Sequence, residues 1–408
     1  MEMNYTNLGS ILETIIDYRG KTPLKLGGNW EEFPDGNIRA FSAKNIKTGK
    51  IVQPDEIRYV SPELYKKWMK IEIKRGDILI TSEAPFGQIY YWDSDEKIVL
   101  SQRLFAVRIN KSIYDKYAYY YMISSGFQGE MKARSTGSTV EGLRQTALLR
   151  CNFAYPKYDS QKKIATILRN YDLLIDNNVR RIELLEEIAS SIYKEWFARF
   201  RFPEYKKTPT KNQSARGWTF GDREDGQKIP SNWNFDELGK IAIFKRGKNI
   251  TSSEMEEGSV PVIAAGLEPS GYHNKANVSG YNLTISASGA NAGYLAYHLE
   301  NIWAADCSYY NDEANIWFVY NALKFLQPVI SNMQIGSAQP HVYAKTINRI
   351  STVIPTPDII EKFNSLVRPV YDEILKLQKK NQNLIQQRDS LLPRLMSGKL
   401  SVEGKEIV

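Results

Sequence analysis

Shifted by 199 positions, the sequence falls on itself: Gly137-Ser138, Arg150 and Pro156 land on Gly336-Ser337, Arg349 and Pro355 without a gap. A chain that repeats at this spacing is constrained to fold as two copies of one plan. After each proline comes a stretch of about forty residues with heptad spacing, and the same shift carries the phase across. The repeated module is therefore a globular part followed by a long helix. Shorter echoes strengthen it, since Leu8-Gly9 and Arg19-Gly20-Lys21 return as Leu238-Gly239 and Arg246-Gly247-Lys248. The middle of the second module barely resembles that of the first.

Within the first module, β-rich runs such as Ile71 to Ile80, Ile89 to Trp92 and Leu104 to Ile109 alternate with Gly, Pro and Asp turns, and Tyr114 to Ile123 reads as helix. The expected fold class is mixed α/β (α+β). Its expected domains are a globular domain over 1–156, a helical region over 157–197, a turn-rich linker over 198–230, a second globular domain over 231–355, a second helical region over 356–397 and a tail over 398–408. In the first heptad stretch Ile164, Tyr171, Asn178, Leu185 and Ile192 share one position, and Leu168, Ile175, Ile182, Ala189 and Trp196 the other. The second places Phe363, Val370, Leu377, Leu384 and Leu391 at one seam position, and Val367, Ile374, Asn381, Arg388 and Leu395 at the other. Pro369 lacks a backbone donor, so a break is expected between Val367 and Val370, and by symmetry near Asn170.

Narrow 3.5-residue periodicity kept through both copies predicts that the two helices pair as an antiparallel coiled coil related by a pseudo-two-fold axis. Its seam is Ile175, Asn178, Ile182 and Leu185 against Val370, Ile374, Leu377, Asn381 and Leu384. Facing residue numbers must share one sum, 559 or 566. The first sets Asn178 opposite Asn381, whereas the second strands an amide against an apolar side chain and costs about 1 to 3 kcal/mol. The first register is favoured. The alternative is that each helix packs only on its own globular domain. A helix of about 26 residues spans about 39 Å, close to a B-DNA turn of about 34 to 36 Å. Two readers held on one face of a duplex then imply a split, asymmetric target with unread base pairs between its halves.

Lys and Arg number 54 against 46 Asp and Glu, a net charge of +8 that leans toward a polyanionic partner. Cys151, Cys307, His273, His298 and His341 show no zinc-ligand spacing, so neither disulfide nor metal dependence is expected. No leader pattern opens the chain and no apolar run approaches the length of a membrane helix, which predicts a cytoplasmic protein without a membrane partner. The 25 tyrosines are expected mainly as strand-packing residues, with exposed rings free to stack on bases. No two prolines are adjacent, which excludes the Asn/Asp-Pro-Pro-aromatic motif of amino-methyltransferases. Gly20-Lys21-Thr22 has Ile15 where a phosphate-binding loop needs its first glycine, so it reads as a turn.

Ordered motifs span essentially the whole chain: Gln161-Lys162-Lys163-Ile164-Ala165-Thr166-Ile167-Leu168 with Asp172 and Ile175, then Glu195-Trp196-Phe197 with Arg201-Phe202-Pro203. They continue through Ile229-Pro230 with Trp233 and Leu238-Gly239 to Leu391-Leu392-Pro393-Arg394-Leu395-Met396-Ser397-Gly398-Lys399-Leu400. Gly76-Asp77-Ile78-Leu79, Gly137-Ser138-Thr139 with Gly142-Leu143, and Ser288-Gly289-Ala290-Asn291-Ala292-Gly293 complete the set. In these motifs the chain resembles the specificity subunit of type I restriction-modification systems. The resemblance implies two target recognition domains for double-stranded DNA, separated by helical regions that dock two methyltransferase subunits and, in the full complex, restriction/translocase subunits. It implies no catalytic residue and no cofactor in this chain, with S-adenosylmethionine and ATP on the partners. Gln339-Pro340-His341 in place of Val140-Glu141-Gly142 departs from the repeat, so contacts there should differ.

Base readout needs paired donors and acceptors on loops or strands that reach a groove. In the first domain the candidates are Arg39, Lys44, Asn45, Ser82, Arg103, Arg134, Ser135, Thr136, Ser138, Thr139, Arg144 and Gln145. In the second they are Arg246, Lys248, Ser288, Asn291, Ser308, Gln334, Ser337, Gln339, His341 and Lys345. Solvation and turn capping are the competing roles for each. Three other functions stay open at this point: a DNA-targeting subunit of a combined methyltransferase-nuclease system, a nuclease sharing the scaffold, and a purely structural coiled-coil scaffold.

Overall fold

The computed structural model describes residues 1–33, 37–137, 141–212, 228–333 and 341–404. The chain divides into two compact units, one of 1–176 with 381–408 and one of 177–380. The strands of the first are β1 (Asn4–Asn7), β2 (Leu12–Asp17), β3 (Ile38–Phe41), β4 (Ile46–Lys47), β5 (Lys50–Ile51), β6 (Arg58–Val60), β7 (Ile78–Thr81), β8 (Ile89–Tyr91), β9 (Ile98–Leu100), β10 (Leu104–Ile109) and β11 (Asn152–Tyr155). Its shorter helices are α1 (Pro62–Trp68), α2 (Asp115–Ile123), α3 (Ser125–Ala133) and α4 (Gln145–Leu149), followed by the long α5 (Tyr158–Tyr193).

A four-stranded sheet in the order β2-β10-β7-β8 carries this unit, and beside it stand a three-stranded sheet β6-β3-β9 and the pair β1-β11. The central strands are apolar on both faces because two cores need them. Ile78 and Ile80 of β7, with Phe105 and Val107 of β10, pack among Tyr117, Met122 and Phe127 of α2 and α3. Leu79, Leu104 and Ala106 point the other way and pack against Phe41, Trp68 and Val99. Alternation along a strand thus sends successive residues into different cores. The strand begins late in the expected run of 71–80, because Gly76 turns the chain at φ +96° and a Cβ there would meet the Asp115 carboxylate at 2.8 Å. Asp77 beside it is buried and bidentate with Arg108, at 2.8 Å on both oxygens. The Gly-Asp-Ile-Leu motif is accordingly a folding element.

The second unit's divergent middle folds on the same plan. After the hairpin β12 (Thr210–Asn212) and β13 (Lys228–Pro230) come β14 (Asn234–Glu237), β15 (Lys245–Arg246), β16 (Val260–Ile263), β17 (Gly271–His273), β18 (Asn282–Ser286), β19 (Leu295–His298), β20 (Trp303–Ala304), β21 (Cys307–Tyr310) and β22 (Ser351–Ile354). The helices are α6 (Ile316–Phe325), α7 (Gln327–Ser331), α8 (Ala344–Asn348) and the long α9 (Pro357–Met396). Sheet orders β15-β21-β18-β19 and β17-β16-β20 reproduce those of the first unit, with β14-β22 in place of β1-β11. Even the parallel pairing recurs, β3 with β9 and β16 with β20. Apolar alternation maintains the plan where residue identity does not. The Leu-Gly echo has its cause here too, since a Cβ on Gly9 would lie 3.2 Å from the Leu149 carbonyl and one on Gly239 3.0 Å from that of Asn348.

Both long helices contribute to both units. In the first, Ile164, Ala165 and Leu168 of α5 share a core with Leu395 and Met396. Arg388 reaches Asp172 at 2.8 Å, Tyr171 meets Gln387 at 3.3 Å, and the Asn381 amide donates to the Ile175 carbonyl at 3.4 Å. In the second, Ala189 and Tyr193 pack with Phe363, Val367, Tyr371 and Ile374, and Arg181 meets Glu373 at 3.1 Å. The breaks expected at Pro369 and Asn170 do not occur: α9 is continuous over 40 residues and α5 over 36. Proline deprives only the carbonyl four residues earlier, and Ser365, like Pro369, is exposed to water that can replace the lost donor. Meanwhile Val367, Tyr371 and Ile374, fully buried, keep the helix on the core. A π turn over Lys194–Ala198 ends α5, and Phe202 beyond it stacks on Trp233 with centroids 4.7 Å apart.

Candidate nucleic-acid interface

One end of the four-stranded sheet gathers the polar side chains of the first unit. There β2 runs out into Asp17-Tyr18-Arg19-Gly20-Lys21, β7 into Ser82-Glu83, and β10 begins after Gln102-Arg103. Arg19, Lys21, Glu83, Gln102 and Arg103 line a cleft of about 740 Å³. A second cleft, about 280 Å³, shares Gln102 and Arg103 and adds Lys44, Asn45 and Arg58. Arg103 adopts φ +61°, a left-handed conformation rarely taken by a residue with a side chain, and its Nε lies 3.3 Å from Glu83. Its carbonyl accepts from the Ser82 N–H at 2.8 Å, while Leu143 donates to the Ser82 carbonyl at 2.9 Å. Arg144 and Gln145, at the start of α4, are thereby held beside the same sheet end.

Other candidates of this unit have partners of their own. Asn45 is buried and caps a turn: its Oδ1 accepts from Ser42 at 3.0 and 2.9 Å, and its Nδ2 donates to Gln53 at 3.3 Å. Ser82 is buried under the loop. Lys44 pairs with Glu56, Arg39 with Glu96 outside both clefts, and Arg134 with Glu130 at 2.7 Å on the last turn of α3. The hydrogen bonds that the Arg39 guanidinium donates to Glu96 raise its pKa further. Ser135 bonds back to Lys132, and Thr136 exchanges two 2.9 Å bonds with Gly142. Ser138 and Thr139 lie outside the described residues, as do Gln334, Ser337 and Gln339.

In the second unit the same sheet end carries Arg246 at the end of β15, Ser288 after β18 and Asp306 before β21. The Asp306 carboxylate binds Arg246 with one oxygen and the Ser288 hydroxyl with the other. Ser288 forms a bridge with His341, whose ring lies flat on Tyr343, 5.7 Å away at 7°. Ser308 faces Arg246 across the ladder but is buried. Lys248 and Lys345 are exposed, and Asn291 donates to the Ala265 carbonyl at 3.4 Å. Among the described residues no group of three or more His, Cys, Asp or Glu could hold a metal ion, and no helix is long and apolar enough to cross a membrane. Burial pushes the thiols of Cys151 and Cys307 up to about 11 and about 12, which leaves both inert.

The profile of the family described as Type I restriction modification DNA specificity domain matches residues 2–187 and 230–387. The chain belongs to that family. A specificity subunit of a type I restriction enzyme from Methanocaldococcus jannaschii, MjaIX, is 28% identical over 354 residues, covering 81% of this chain and 78% of the relative. The HindI specificity subunit of Haemophilus influenzae is 23% identical, covering 81% and 88%. A crystal structure of an S subunit from M. genitalium shares the fold at TM-score 0.57 and 18% identity, covering 97% of this chain and 96% of that one. Specificity subunits direct chemistry rather than perform it, and this chain is one of these non-catalytic, DNA-recognising subunits.

For a specificity subunit the useful chemistry is hydrogen bonding to base edges and phosphates. The sheet ends bring together Lys44 and Arg103 in the first module, and Arg246, Ser288 and His341 in the second. Arg39 and Arg134 stay apart from them. Sequence reasoning missed Arg19, Lys21, Arg58, Glu83, Asp306 and Tyr343. The signal for the first two was in hand, because Arg-Gly-Lys occurs in both modules. Nothing in the sequence marked Glu83 or Asp306, whose partners come from neighbouring strands.

Proposed function

We propose that this subunit reads a bipartite, asymmetric double-stranded DNA target, one half per module, and brings two methyltransferase subunits and restriction/translocase subunits to it in the cytoplasm. The observation that carries the reading is a shared sheet frame with unlike residues at equivalent places: Glu83 and Gly142 bridge in one module, Ser288 and His341 in the other. Equal frames with unequal readers select unequal half-sites. The recognition domains would be 1–156 and 231–355, and the candidate DNA contacts those named from the sequence that reach the sheet ends. S-adenosylmethionine and ATP would be held by the partners.

The antiparallel coiled coil belongs to the same proposal. Contacts within the units, Tyr171 with Gln387 and Asp172 with Arg388, support the register summing to 559 over that summing to 566. Leu173, Leu174, Val179, Leu184 and Ile188 of α5 are 42 to 50% exposed, which suits a helix awaiting a protein partner. Phosphate contacts would supply affinity that falls with salt, and base contacts discrimination. Methylome sequencing of a host carrying this chain with its methyltransferase partner tests the proposal. A split motif with unlike halves is expected; a continuous or palindromic motif overturns it.

A further inference from the structure

The hydrogen bonds at the two sheet ends align the modules residue by residue. Ser82 donates to the Arg103 carbonyl at 2.8 Å, and Ala287 to that of Asp306 at 3.3 Å. Leu143 donates to Ser82 at 2.9 Å, and Val342 to Ala287 at 3.0 Å. Leu104 faces Thr81 across the ladder, as Cys307 faces Ser286. Position 103 of the first module is therefore position 306 of the second and 83 is 288, and because Phe105 faces Asp17 across the ladder as Ser308 faces Arg246, Asp17 holds the place of Arg246. At equivalent places stand an arginine and an aspartate.

Arg19 and Arg246 are also used differently. Arg19 is bidentate on Asp17 at 2.9 and 2.7 Å and lies over the Phe105 ring at 4.6 Å. Two residues before Arg246 stands Phe244, which stacks on Tyr310 and offers no carboxylate. Arg246 is instead held by Asp306, itself tied to Ser288, and its side chain stays 45% exposed. In the first module Arg103 is 52% exposed at this sheet end and paired with Glu83, whereas Arg144, also exposed there, lies at the start of α4. Ion pairs this exposed contribute little stability. That benefit is a poor return on the left-handed backbone at Arg103.

Taking the DNA-reading function proposed above as given, we infer that each module reads a guanine through one carboxylate-positioned arginine, Arg103 with Glu83 in the first and Arg246 with Asp306 in the second. Arg103 stands at the place of Asp306, and Arg246 at the place of Asp17, so the two arginines occupy different places in a common frame. A carboxylate on one edge of the planar guanidinium fixes its orientation and leaves the remaining N–H groups for a two-point acceptor, which the O6 and N7 of guanine supply in the major groove. Glu83 and Asp306 are positioning residues. Since the arginines project from different strands, the guanine holds a different place in each half-site.

The test uses the full chain with its methyltransferase partner, a pool of randomised duplexes, and sequencing of the bound fraction. Arg246→Lys and Arg103→Lys keep the charge but lose the fork, so each should relax one G·C pair in its own half-site by about tenfold or more and leave the other half intact. Asp306→Asn and Glu83→Gln should relax the same pair without weakening non-specific binding, an outcome that a merely structural role does not produce. A wild-type motif left unchanged by all four variants, or degraded in both halves at once, overturns the inference alone. A wild-type complex that enriches no motif overturns the proposed function with it.

Discussion

Replacing Asp172 tests how the first recognition domain is fastened to the helices. Its carboxylate joins three elements, accepting from Tyr120 of α2 at 2.5 Å and from Arg388 of α9 at 2.8 Å. The side chains of Asp172 and Arg388 are 19% and 27% exposed, so solvent screens the pair only in part. Each charge-assisted bond contributes about 1.5 kcal/mol at the lower end of its range. Asp172→Ala removes both and leaves the buried Tyr120 hydroxyl without its acceptor, a loss of about 3 kcal/mol. Arg388→Ala spares that hydroxyl and should cost about 2 kcal/mol. The double variant should lose about 3.5 kcal/mol, a coupling of about 1.5 kcal/mol. Hydrogen exchange of the peptides over 115–123 and 164–176, followed against urea, reads this unit by itself. A coupling below about 0.5 kcal/mol would refute the reasoning, because it would make the pair an ordinary surface contact.

Two further outcomes follow from the second unit and from α5. Burial pushes His298 down to about 4, with its Nε2 2.8 Å from the Thr284 hydroxyl. Its stabilising contribution is complete above the ordinary histidine value and fades as pH falls toward the folded value, at no more than about 1.4 kcal/mol per pH unit. Between pH 7 and pH 5 the native chain should therefore lose about 2 kcal/mol more than a His298→Gln variant, as measured by urea midpoints; equal losses would count against it. Leu184 and Ile188 lie one turn apart on α5 and are 42% and 50% exposed. Changing both to serine should move stability by no more than about 0.5 kcal/mol and weaken the proposed complex with a methyltransferase subunit on a sizing column. An undiminished complex would argue that this face is not the docking surface.

Periodicity was legible where it ran long. Heptad spacing marked both long helices, and Ile164, Leu168, Phe363 and Val367, which it singled out, pack in the cores, as do Ala165, Tyr193 and Tyr371, which it did not. Local propensity misled at Pro369, because exposure of the deprived Ser365 carbonyl and burial on either side outweighed a missing hydrogen bond. Residue identity misled in the second module's middle. There the likeness is one of strand order and of alternation between two cores, which survives almost complete exchange of side chains. The candidate site was half legible: Arg103, Arg246 and Ser288 stood out as donors on loops, but Asn45 proved to be a buried cap.

By itself the sequence determined that the chain is two copies of one module, each ending in a long helix, and which family it belongs to, since these depend on spacing and order along the chain. Only the tertiary structure decided which charges meet. Asp306 lies 60 residues from Arg246, and it is the ladder between β15 and β21 that sets its carboxylate against the guanidinium. A contact of that range has no local signature, because what selects it is strand register rather than any preference of neighbouring residues.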